Sequence, residues 1–595
     1  MSLEKIGAKS VLDLALLTPK AYHNYILKPH IEDKNEAFLE VELLKEIKGG
    51  KFYKVEAYAK NINRMVELLF FKTTPYHYST FKAGSTLYIS GKVNFFKKIQ
   101  IIQPKKIAAY KIGRIYPEYK TPLRADIFER LKEEYLTKEA LIEEEVPDKI
   151  ADSLLKIHYP DERFYEEFKK RGDFWGEYLY ALKFLEAFRY FKALKGKRKR
   201  LEAVMSCKGE LDGFIKNLPF KLTSDQLKAL EDIKSDMASK FAAKRVIVGD
   251  VGSGKSVVMF GAAYLAYPNR AILMAPTSIL ANQLYQEAKR LLPPHMKIAL
   301  VSAKTSVEDL ERYDFIIGTH ALLYRKLPTA CVVMVDEQHR FGTEQRQKLK
   351  KLVQKSRAPH FFQFSATPIP RTKAMMQSAL VDFSFIKQTP FKKDIETHVI
   401  SKEDFKELLA HIKKETSQGR QVLIVYPLVE ESENFEYKSL EEAREFWQKY
   451  FDFVYVTHGK DSQKDEVLEE FRDKGKILLA TTVVEVGISL PKLSTIVVVG
   501  AENMGLATLH QLRGRVSRTG LKGYCFLYTN DKNNKRLVEF GKLKSGFDIA
   551  ELDLKFRKSG DILSGKEQSG KAFRWLSLAE DAEIVSEVKK RLIHN

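Results

Sequence analysis

The stretch 249–256 constrains the fold of this chain more than any other part of the sequence. It reads Gly-Asp-Val-Gly-Ser-Gly-Lys-Ser, which matches the phosphate-loop pattern of a glycine, four residues and then Gly-Lys-Ser. The apolar run 246–248 precedes it, as a buried strand requires, and the small, apolar stretch 257–266 follows it, as a packed helix requires. An ordinary strand-to-helix turn is the alternative, which this context disfavours. The sequence therefore predicts a nucleotide site at a strand–loop–helix junction.

The residues of this loop have separate roles in holding phosphate. Gly252 and Gly254 allow backbone N–H groups to close around phosphate oxygens, and the start of the following helix adds its partial positive charge. Lys255 is predicted to reach the β- and γ-phosphates, and the Ser256 hydroxyl to ligate Mg²⁺. The predicted nucleotide-binding residues of the loop are Gly249, Gly252, Ser253, Gly254, Lys255 and Ser256. ATP and Mg²⁺ are the expected ligands.

Length and charge indicate a large protein with a polyanionic partner. The chain has 595 residues, enough for about four domains, and its 100 Lys and Arg residues exceed its 78 Asp and Glu residues by 22. This excess favours nucleic acid as a partner, although solvated surface lysines would give the same count. The three cysteines stand far apart in no metal-ligand spacing, so neither zinc nor disulfide bonds are expected. The sequence shows no signal peptide or membrane span, and we expect a cytoplasmic protein.

The first hundred residues change from short helices to short strands. Between residues 37 and 107, about five alternating stretches with glycine turns predict a small barrel of the OB type. Phe95 and Phe96 lie among lysines between the last two predicted strands. Two aromatic rings at a hairpin tip can stack on bases while the lysines hold phosphate. The alternative, equally compatible with the sequence, is that one phenylalanine packs into the barrel core.

One long helix and two sheet-forming regions are predicted beyond the barrel. Apolar and aromatic residues recur at helical spacing over 173–196, which predicts a long helix that braces the domains. Strands and helices then alternate to about residue 385, and again from about 396 to 530. This pattern predicts two parallel-sheet α/β domains in tandem, of which only the first has a phosphate loop.

A pair of carboxylates follows a buried strand about 80 residues after the phosphate loop. The apolar run 332–335 ends at Asp336 and Glu337. In a phosphate-loop protein, a carboxylate at the end of a neighbouring strand holds the Mg²⁺ that the loop serine also contacts, so Asp336 is predicted as a ligand beside Ser256. Glu337 can then orient and deprotonate the attacking water. Standing alone, this acidic pair would be an ordinary polar strand end.

Two arginines near the end of the second sheet region complete the predicted ATPase site. Arg515 and Arg518 are three residues apart, so on a helix they share a face. If that face opposes the phosphates across a cleft, both guanidinium groups stabilise the γ-phosphoryl transition state. A surface arginine pair in salt bridges is the alternative. A catalytic arginine on a second domain also lets ATP binding close the cleft and hydrolysis open it.

Together these motifs resemble those of superfamily 2 helicases, and more closely those of the RecG family of double-stranded DNA translocases that remodel branched DNA. The resemblance extends from about residue 8 to 570 and rests on the stretches 218–226, 249–256, 274–277, 318–322, 336–342, 365–371, 426–432, 480–487 and 510–518. The segment 553–570 is similar to the translocation motif that RecG shares with the transcription-repair coupling factor. The coupling factor itself is disfavoured, because its partner-binding extensions have no counterpart here.

The resemblance implies roles for further residues. It implies that Gln226 and Gly487 belong to the nucleotide site. It also implies a role in DNA contact or coupling for Thr277, Thr319, His320, Arg557 and Gln568. Arg557 and Gln568 would couple closure of the ATP site to movement of a DNA-gripping loop. The barrel, with Phe95 and Phe96, would be the wedge that splits strands at a junction. The family's helical N-terminal extension is missing from this sequence, and Ser517 and Thr519 replace usual glycines, but no departure removes a catalytic group.

The expected fold is a multidomain α/β protein with an N-terminal OB-type wedge barrel and two tandem RecA-like helicase domains. The expected boundaries are 1–115 for the wedge domain, 116–200 for the connecting region with its long helix, 201–388 and 389–530 for the helicase domains, and 531–595 for the translocation-motif region.

The expected activity is that of an ATP-dependent DNA helicase that remodels stalled replication forks, four-way (Holliday) junctions and R-loops in recombination and repair. An RNA helicase of the same superfamily is a second candidate, disfavoured by the stretch 318–320 and by the C-terminal motif. A branched-DNA binding protein without hydrolysis is a third, disfavoured by Lys255, Glu337 and Arg518. We expect a monomer that binds branched DNA and no membrane, with single-stranded DNA-binding protein as a candidate partner.

Overall fold

The computed structural model describes most of the chain, and the chain divides into two compact units. Unit 1 comprises Met1–Lys192 with the short stretches Phe573–Ser577 and Glu587–Asn595, and unit 2 comprises Ala193–Ala572 with Leu578–Ser586. The described residues are 6–48, 52–195, 201–302, 305, 307–337, 348, 357–367, 374, 381–391, 393–427, 437, 439–459, 461, 463–481, 490–517, 520–564, 573–577 and 580–594.

Unit 1 contains a closed five-stranded barrel. Its strands run in the order β2-β3-β4-β6-β5 around the barrel, while β1 pairs with β7 outside it. Every second residue of β3 is buried, as expected of a strand with one face on a core. The strands of unit 1 are β1 Ala21–Asn24, β2 Glu36–Lys48, β3 Tyr53–Ala59, β4 Arg64–Phe70, β5 Thr86–Phe96, β6 Lys98–Ile107 and β7 Ile115–Glu118. The predicted N-terminal barrel is confirmed.

Helices form the rest of unit 1. They are α1 Val11–Ala15, α2 Pro75–Thr80, α3 Ala125–Tyr135, α4 Lys138–Glu143, α5 Asp148–His158, α6 Glu162–Arg171 and α7 Gly176–Lys195. The buried Glu186 of α7 accepts hydrogen bonds from three consecutive backbone N–H groups, those of Arg574, Trp575 and Leu576, at 2.7–2.9 Å. This carboxylate therefore fastens a C-terminal stretch to the long helix. Among the described helices, none has the length and apolar composition that a membrane crossing needs.

Unit 2 begins with a seven-stranded parallel sheet in the order β10-β11-β9-β12-β13-β8-β14. Its strands are β8 Lys244–Gly249, β9 Ala271–Met274, β10 Ile298–Val301, β11 Phe315–Gly318, β12 Val332–Val335, β13 His360–Ser365 and β14 Asp382–Ile386, and its described helices are α8 Asp212–Lys216, α9 Ser224–Ala238, α10 Lys255–Ala266 and α11 Ser278–Leu291. Strands β9, β11 and β12 are buried along their whole length, as in parallel sheets covered on both faces.

A second parallel sheet follows in unit 2, with six strands in the order β15-β20-β19-β16-β18-β17. Its strands are β15 Ile395–Ile400, β16 Gln421–Val425, β17 Val454–Thr457, β18 Ile477–Ala480, β19 Leu493–Val499 and β20 Gly523–Tyr528. The helices from here to the end are α12 Phe405–Ser417, α13 Leu440–Tyr450, α14 Lys464–Lys474, α15 Leu506–Arg513, α16 Lys535–Lys542, α17 Gly546–Ser564 and α18 Ala582–His594. The prediction of two tandem parallel-sheet domains is confirmed.

The expectation for the cysteines is wrong for one pair. Cys207 and Cys331 are joined as a disulfide bond in the core around the first sheet, whereas Cys525 is free and buried. The paired residues are 124 positions apart. Only the folded sheet brings them together, so their spacing in the sequence could not indicate the bond.

Candidate nucleotide site

The phosphate loop connects β8 to α10 at the carboxyl edge of the first sheet, where α/β proteins bind ligands. Gly252 and Gly254 have φ of +78° and +75°, a left-handed conformation that other residues rarely adopt. Gly254 is the N-cap of α10, so the N–H groups of the loop converge with the helix N-terminus. Ser253 is fully buried, and its hydroxyl has no partner among the described residues. A phosphate oxygen would satisfy such a group.

Lys255, the first residue of α10, turns back toward the loop. Its Nζ donates hydrogen bonds to the carbonyl oxygens of Gly249 at 3.0 Å and Asp250 at 3.1 Å. Its charge also favours the ionised form of Asp336. The ammonium group and this carboxylate are therefore close enough to interact, and their roles in ATP binding stay predictions. Ser256 follows in the first turn of the same helix.

Asp336 and Glu337 follow β12, at the same edge of the sheet as the phosphate loop. Asp336 is 6% exposed, and burial together with the charge of Glu337 raises its pKa well above the usual range, against the opposing effect of Lys255. A divalent cation would stabilise the charged form of this carboxylate, which is a hard oxygen ligand. The residues present therefore fit the predicted Mg²⁺, with Asp336 and Ser256 as candidate ligands.

Gln226 lies behind the phosphate loop. Its Nε2 donates to the carbonyl oxygen of Ser253 at 2.9 Å, and its Oε1 accepts the backbone N–H of Thr223 at 2.9 Å in the capping box of α9. Gly254 passes so close that a Cβ there would collide with the Gln226 amide. The side chain therefore supports the loop, and its own contact with nucleotide stays a prediction.

The second sheet reaches the phosphate loop through α15 and the residues after it. The Nε2 atom of His510 lies 2.5 Å from Oδ1 of Asp250. A Cβ on Gly514 would lie only 2.6 Å from Cγ1 of Val251, so a glycine is needed for this close approach. Lys393, in the connection between the two sheets, donates to the Val251 carbonyl oxygen at 2.8 Å. These contacts of Asp250, His510 and Lys393 could not be predicted from the sequence, because no local pattern links residues so far apart.

The arginines around α15 have different environments. Arg515 is partly buried next to the residue that contacts the phosphate loop, and Arg518 lies outside the described residues. Arg513, which the sequence analysis did not single out, is buried. Its guanidinium group donates to Nδ1 of His510 at 3.2 Å and to the carbonyl oxygen of Phe540 at 3.3 Å, and lies 4.4 Å from the Phe540 ring centroid. Arg513 therefore packs α15 against α16.

The residues predicted to contact DNA on the first sheet lie at strand ends. Thr277 caps α11, where its hydroxyl accepts the N–H of Leu280 at 3.2 Å. Thr319 is buried and caps the short turn His320–Tyr324, whereas the His320 side chain is exposed. The threonines therefore order these loops, and His320 is the surface group of the three. Contact with DNA stays a prediction for all of them.

Phe95 and Phe96 lie at the tip of the hairpin between β5 and β6, which turns at Lys97 with φ of +51°. Their side chains are 48% and 62% exposed. The alternative that one of them packs into the barrel core is therefore wrong. Lys98 forms an ion pair with Glu67 at 3.0 Å, which holds it against the barrel wall.

A second group of exposed aromatic side chains lies at the other end of β3 and β4. Pairing of Tyr53 with Phe70 places the next residues, Phe52 and Phe71, side by side on the outer face. The Lys48 ammonium lies 5.5 Å from the ring centroid of a tyrosine in this group. Each member is at least 38% exposed: Phe52, Phe71, Tyr76 and Tyr78. The sequence analysis missed this group, because the face that a strand's last residue occupies depends on the register.

The remaining predicted site residues cannot be placed relative to the others. Gly487 and Gln568 lie outside the described residues, as does Arg518. Arg557 falls within α17, of which the structure describes only the backbone at this position. Their roles stay predictions.

Comparisons with known proteins give a consistent result. The DEAD/DEAH box helicase family matches residues 223–376, and the helicase conserved C-terminal domain matches residues 402–520. The ATP-dependent DNA helicase RecG of Helicobacter pylori (strain ATCC 700392 / 26695) is 45% identical, over 99% of this chain and 96% of the relative. That of Bacillus subtilis (strain 168) is 32% identical, over 96% and 89%. A solved structure of RecG bound to a three-way DNA junction is 28% identical with a TM-score of 0.58, over 99% of this chain and 83% of that chain.

Proposed function

Because the chain belongs to the RecG family of ATP-dependent DNA helicases, we propose that it is a double-stranded DNA translocase that unwinds branched DNA. The contact between the two sheets carries this proposal. Gly514, next to Arg515, touches Val251 of the phosphate loop. A nucleotide bound at the loop would lie at this contact, so its hydrolysis would alter the relation of the two sheets and could drive movement along DNA.

The proposed chemistry divides between the two sheets. On the first, Lys255 binds the β- and γ-phosphates, and Glu337 orients and deprotonates the attacking water. On the second, Arg515 and Arg518 neutralise the charge that develops on the transferred phosphoryl group. Hydrolysis is therefore fast only when the second sheet is docked on the first.

Mg²⁺ belongs to this proposal as the metal cofactor. Ser256 and Asp336 are the residues that would hold it, and when bound it supplies charge neutralisation at the phosphate oxygens. The position of Asp336 at the end of β12, at the edge of the sheet where the phosphate loop also lies, supports this assignment.

The barrel of unit 1 is the proposed strand separator. A translocating protein separates the strands of a junction only if a protein group stacks on the exposed base pair at the branch point. Phe95 and Phe96 are exposed at a hairpin tip, and stacking on a base is worth about 1–3 kcal/mol without regard to sequence. Forks, four-way junctions and R-loops all present such a branch point, and we propose all three as substrates.

We propose a monomer as the functional unit, because the described elements on both sides of the nucleotide site belong to one chain. We propose single-stranded DNA-binding protein as a partner, because it binds the single-stranded DNA that is exposed at a branch point. We also propose the cytoplasm as the location of the protein, as its proposed DNA substrates require.

A panel of substrates tests this function. Purified full-length protein is assayed for ATP hydrolysis and strand separation on a fork, a four-way junction, an R-loop, a linear DNA duplex and an RNA duplex. We expect DNA-stimulated hydrolysis and at least tenfold faster opening of branched than of linear DNA. Opening of RNA duplexes in preference to DNA would favour an RNA helicase instead, and binding of junctions without hydrolysis would exclude a translocase.

A further inference from the structure

Asp250 is one of the four residues of the phosphate loop that the motif leaves unspecified, yet its side chain is buried and hydrogen-bonded through both oxygens. Its Oδ1 accepts the N–H of Val251 at 2.6 Å and lies 2.5 Å from Nε2 of His510, and its Oδ2 accepts the N–H of Gly546 at 2.8 Å. Burial alone would raise the pKa of this carboxyl group, but these hydrogen bonds lower it to about 2, so the group is charged. Phosphate loops bind phosphate through backbone N–H groups, the lysine and the serine, so this carboxylate must serve something else.

One partner of Asp250 is the beginning of α17. Gly546 is the first residue of this 19-residue helix. A carboxylate at a helix N-terminus satisfies an otherwise unpaired N–H group and interacts favourably with the helix dipole. The same helix runs into the segment 553–570 that resembles the translocation motif. The phosphate loop is therefore bonded directly to the helix that begins this segment.

His510, the other side-chain partner of Asp250, is connected to α16 through Arg513. Arg513 has only donors, so Nδ1 of His510 accepts its hydrogen bond and Nε2 of His510 carries the hydrogen that Asp250 accepts. Arg513 also donates to the carbonyl oxygen of Phe540 in α16. The side chains of Asp250, His510 and Arg513 are all buried. Hydrogen bonds in such an environment are strong, and a buried polar group without its partner is costly.

The backbone of Asp250 faces the nucleotide side of the loop. Its carbonyl oxygen accepts a hydrogen bond from Nζ of Lys255 at 3.1 Å. Phosphates that bind Lys255 compete with this carbonyl for the ammonium group. One residue thus contacts the phosphate-binding lysine through its backbone and the C-terminal helices through its side chain.

We infer that Asp250 is a positioning residue that transmits the state of the phosphate loop to α16 and α17, and so couples ATP hydrolysis to movement. The effect of this role on DNA unwinding rests on the proposed function. The transmission from the phosphate loop to α17 does not, and it can be measured without DNA. A carboxylate that only fastened the two sheets together would affect hydrolysis and unwinding equally.

The first test is Asp250→Asn in the full-length chain. The substitution keeps the volume of the side chain but replaces one acceptor oxygen with an NH₂ group, which must face a donor at His510 or Gly546. We expect fork unwinding per ATP hydrolysed to fall at least tenfold, as we also expect for Arg557→Ala, with the KM for ATP within about threefold of the parent. Asp404→Asn is the matched control, since this partly buried carboxylate also accepts a backbone N–H, that of Ser401, and pairs with Lys532 at the second sheet. A proportional loss of hydrolysis and unwinding in Asp250→Asn would overturn the inference.

The second test compares two substitutions of His510. His510→Gln retains an N–H donor toward Asp250, and His510→Ala removes it. We expect the glutamine variant to keep at least half of the parental coupling ratio and the alanine variant to lose it tenfold. Equal loss in both variants would contradict a role for this hydrogen bond. This pair decides the question even if Asp250→Asn does not fold.

The third test requires no DNA. Hydrogen exchange is followed in peptides that cover residues 546–556 of the full-length chain, with and without Mg²⁺ and a non-hydrolysable ATP analogue. We expect the nucleotide to change exchange at least threefold in the parent and to have no effect in Asp250→Asn. The same nucleotide effect in both proteins would overturn the inference. If the parent opens no branched DNA, the proposed function fails while this measurement still decides the role of Asp250.

Discussion

The side-chain amide of Gln511 donates a hydrogen bond to the hydroxyl group of Thr367 at 2.8 Å. The residue before Thr367 is Ala366, whose backbone N–H donates to Oε2 of Glu337 at 3.2 Å. The proposed catalytic base on the first sheet is thus linked to α15 of the second sheet through two hydrogen bonds and one peptide unit. We therefore expect the orientation of Glu337 to respond to how the second sheet is docked.

Replacement of the proposed base gives the first prediction. Glu337→Gln keeps the size of the side chain but cannot take a proton from water, so ATP turnover should fall by about 10²–10⁴. ATP binding should stay within about threefold of the parent, because Lys255 and the loop are intact. Turnover is measured by phosphate release and binding by a fluorescent ATP analogue. Near-normal turnover would remove Glu337 from the role of base.

The arginines around α15 should separate into two classes. Arg515→Ala and Arg518→Ala should each lower single-turnover hydrolysis by about 10³ if these groups stabilise the transition state. Arg513→Ala instead leaves Nδ1 of the buried His510 without its donor, which should cost about 1–3 kcal/mol of stability. The Phe540 carbonyl oxygen keeps the backbone N–H of Leu543 as a partner. Thermal unfolding of the three variants distinguishes the classes. Wild-type hydrolysis in Arg515→Ala would remove that residue from the stabilisation of the transition state.

The two groups of exposed aromatics on the barrel give the third prediction. The double substitution Phe95→Ala/Phe96→Ala should weaken junction binding about 5- to 150-fold, which corresponds to the loss of about 1–3 kcal/mol of base stacking. ATP hydrolysis on plain duplex should not change. Because both rings are exposed, the thermal stability of the protein should not change either.

The variant Phe71→Ala/Tyr76→Ala is the matched control at the other end of the barrel. Both of its side chains are more than half exposed, so it also should fold normally. Normal junction unwinding is expected for this control. If the control loses unwinding and the hairpin variant does not, the strand separator lies at the other end of β3 and β4.

His158 gives the fourth prediction, on pH. Its ring is buried, with Nε2 near the Ala15 carbonyl oxygen at 3.0 Å and Nδ1 near the Tyr119 hydroxyl at 2.7 Å. Burial lowers its pKa from 6.5 to about 3. As the pH falls below about 6.5, His158 becomes protonated in the unfolded chain but stays neutral in the folded protein until about pH 3. The folded state is therefore fully stable with respect to this group above about pH 6.5, and it loses stability as the pH falls toward 3. The contribution of His158 to the free energy of unfolding of unit 1 should fall by about 1.4 kcal/mol per pH unit between pH 6 and 4.

Urea unfolding at several pH values checks this slope. In a Trp447→Phe background, the two remaining tryptophans, Trp175 and Trp575, both lie in unit 1 and report its unfolding. His158→Gln in the same background should reduce the slope by about 1.4 kcal/mol per pH unit. An unchanged slope would assign the acid sensitivity to other groups.

The parts of the fold and site that local patterns determine could be predicted from the sequence. The phosphate loop and the carboxylates after β12 follow from short motifs, because the carboxyl ends of parallel strands meet at one edge. The contact of Asp250 with His510 spans 260 positions, and that of Glu186 with the backbone N–H of Leu576 spans 390. No periodicity or spacing indicates such contacts, because they depend on how distant elements pack. For the same reason, the group of exposed aromatic side chains at the end of β3 and β4 could not be predicted before the register of the barrel strands was known.

The most direct test of the account is four-way junction unwinding by the parent and by Lys255→Ala, with ATP hydrolysis measured in the same reactions. The account predicts that the parent separates the arms in an ATP-dependent reaction. The variant should bind the junction within about threefold of the parental affinity, yet neither hydrolyse ATP nor unwind, because the charge on the β- and γ-phosphates is lost. Unwinding by Lys255→Ala at the parental rate, or an intact junction in the presence of a parent that hydrolyses ATP, would contradict it.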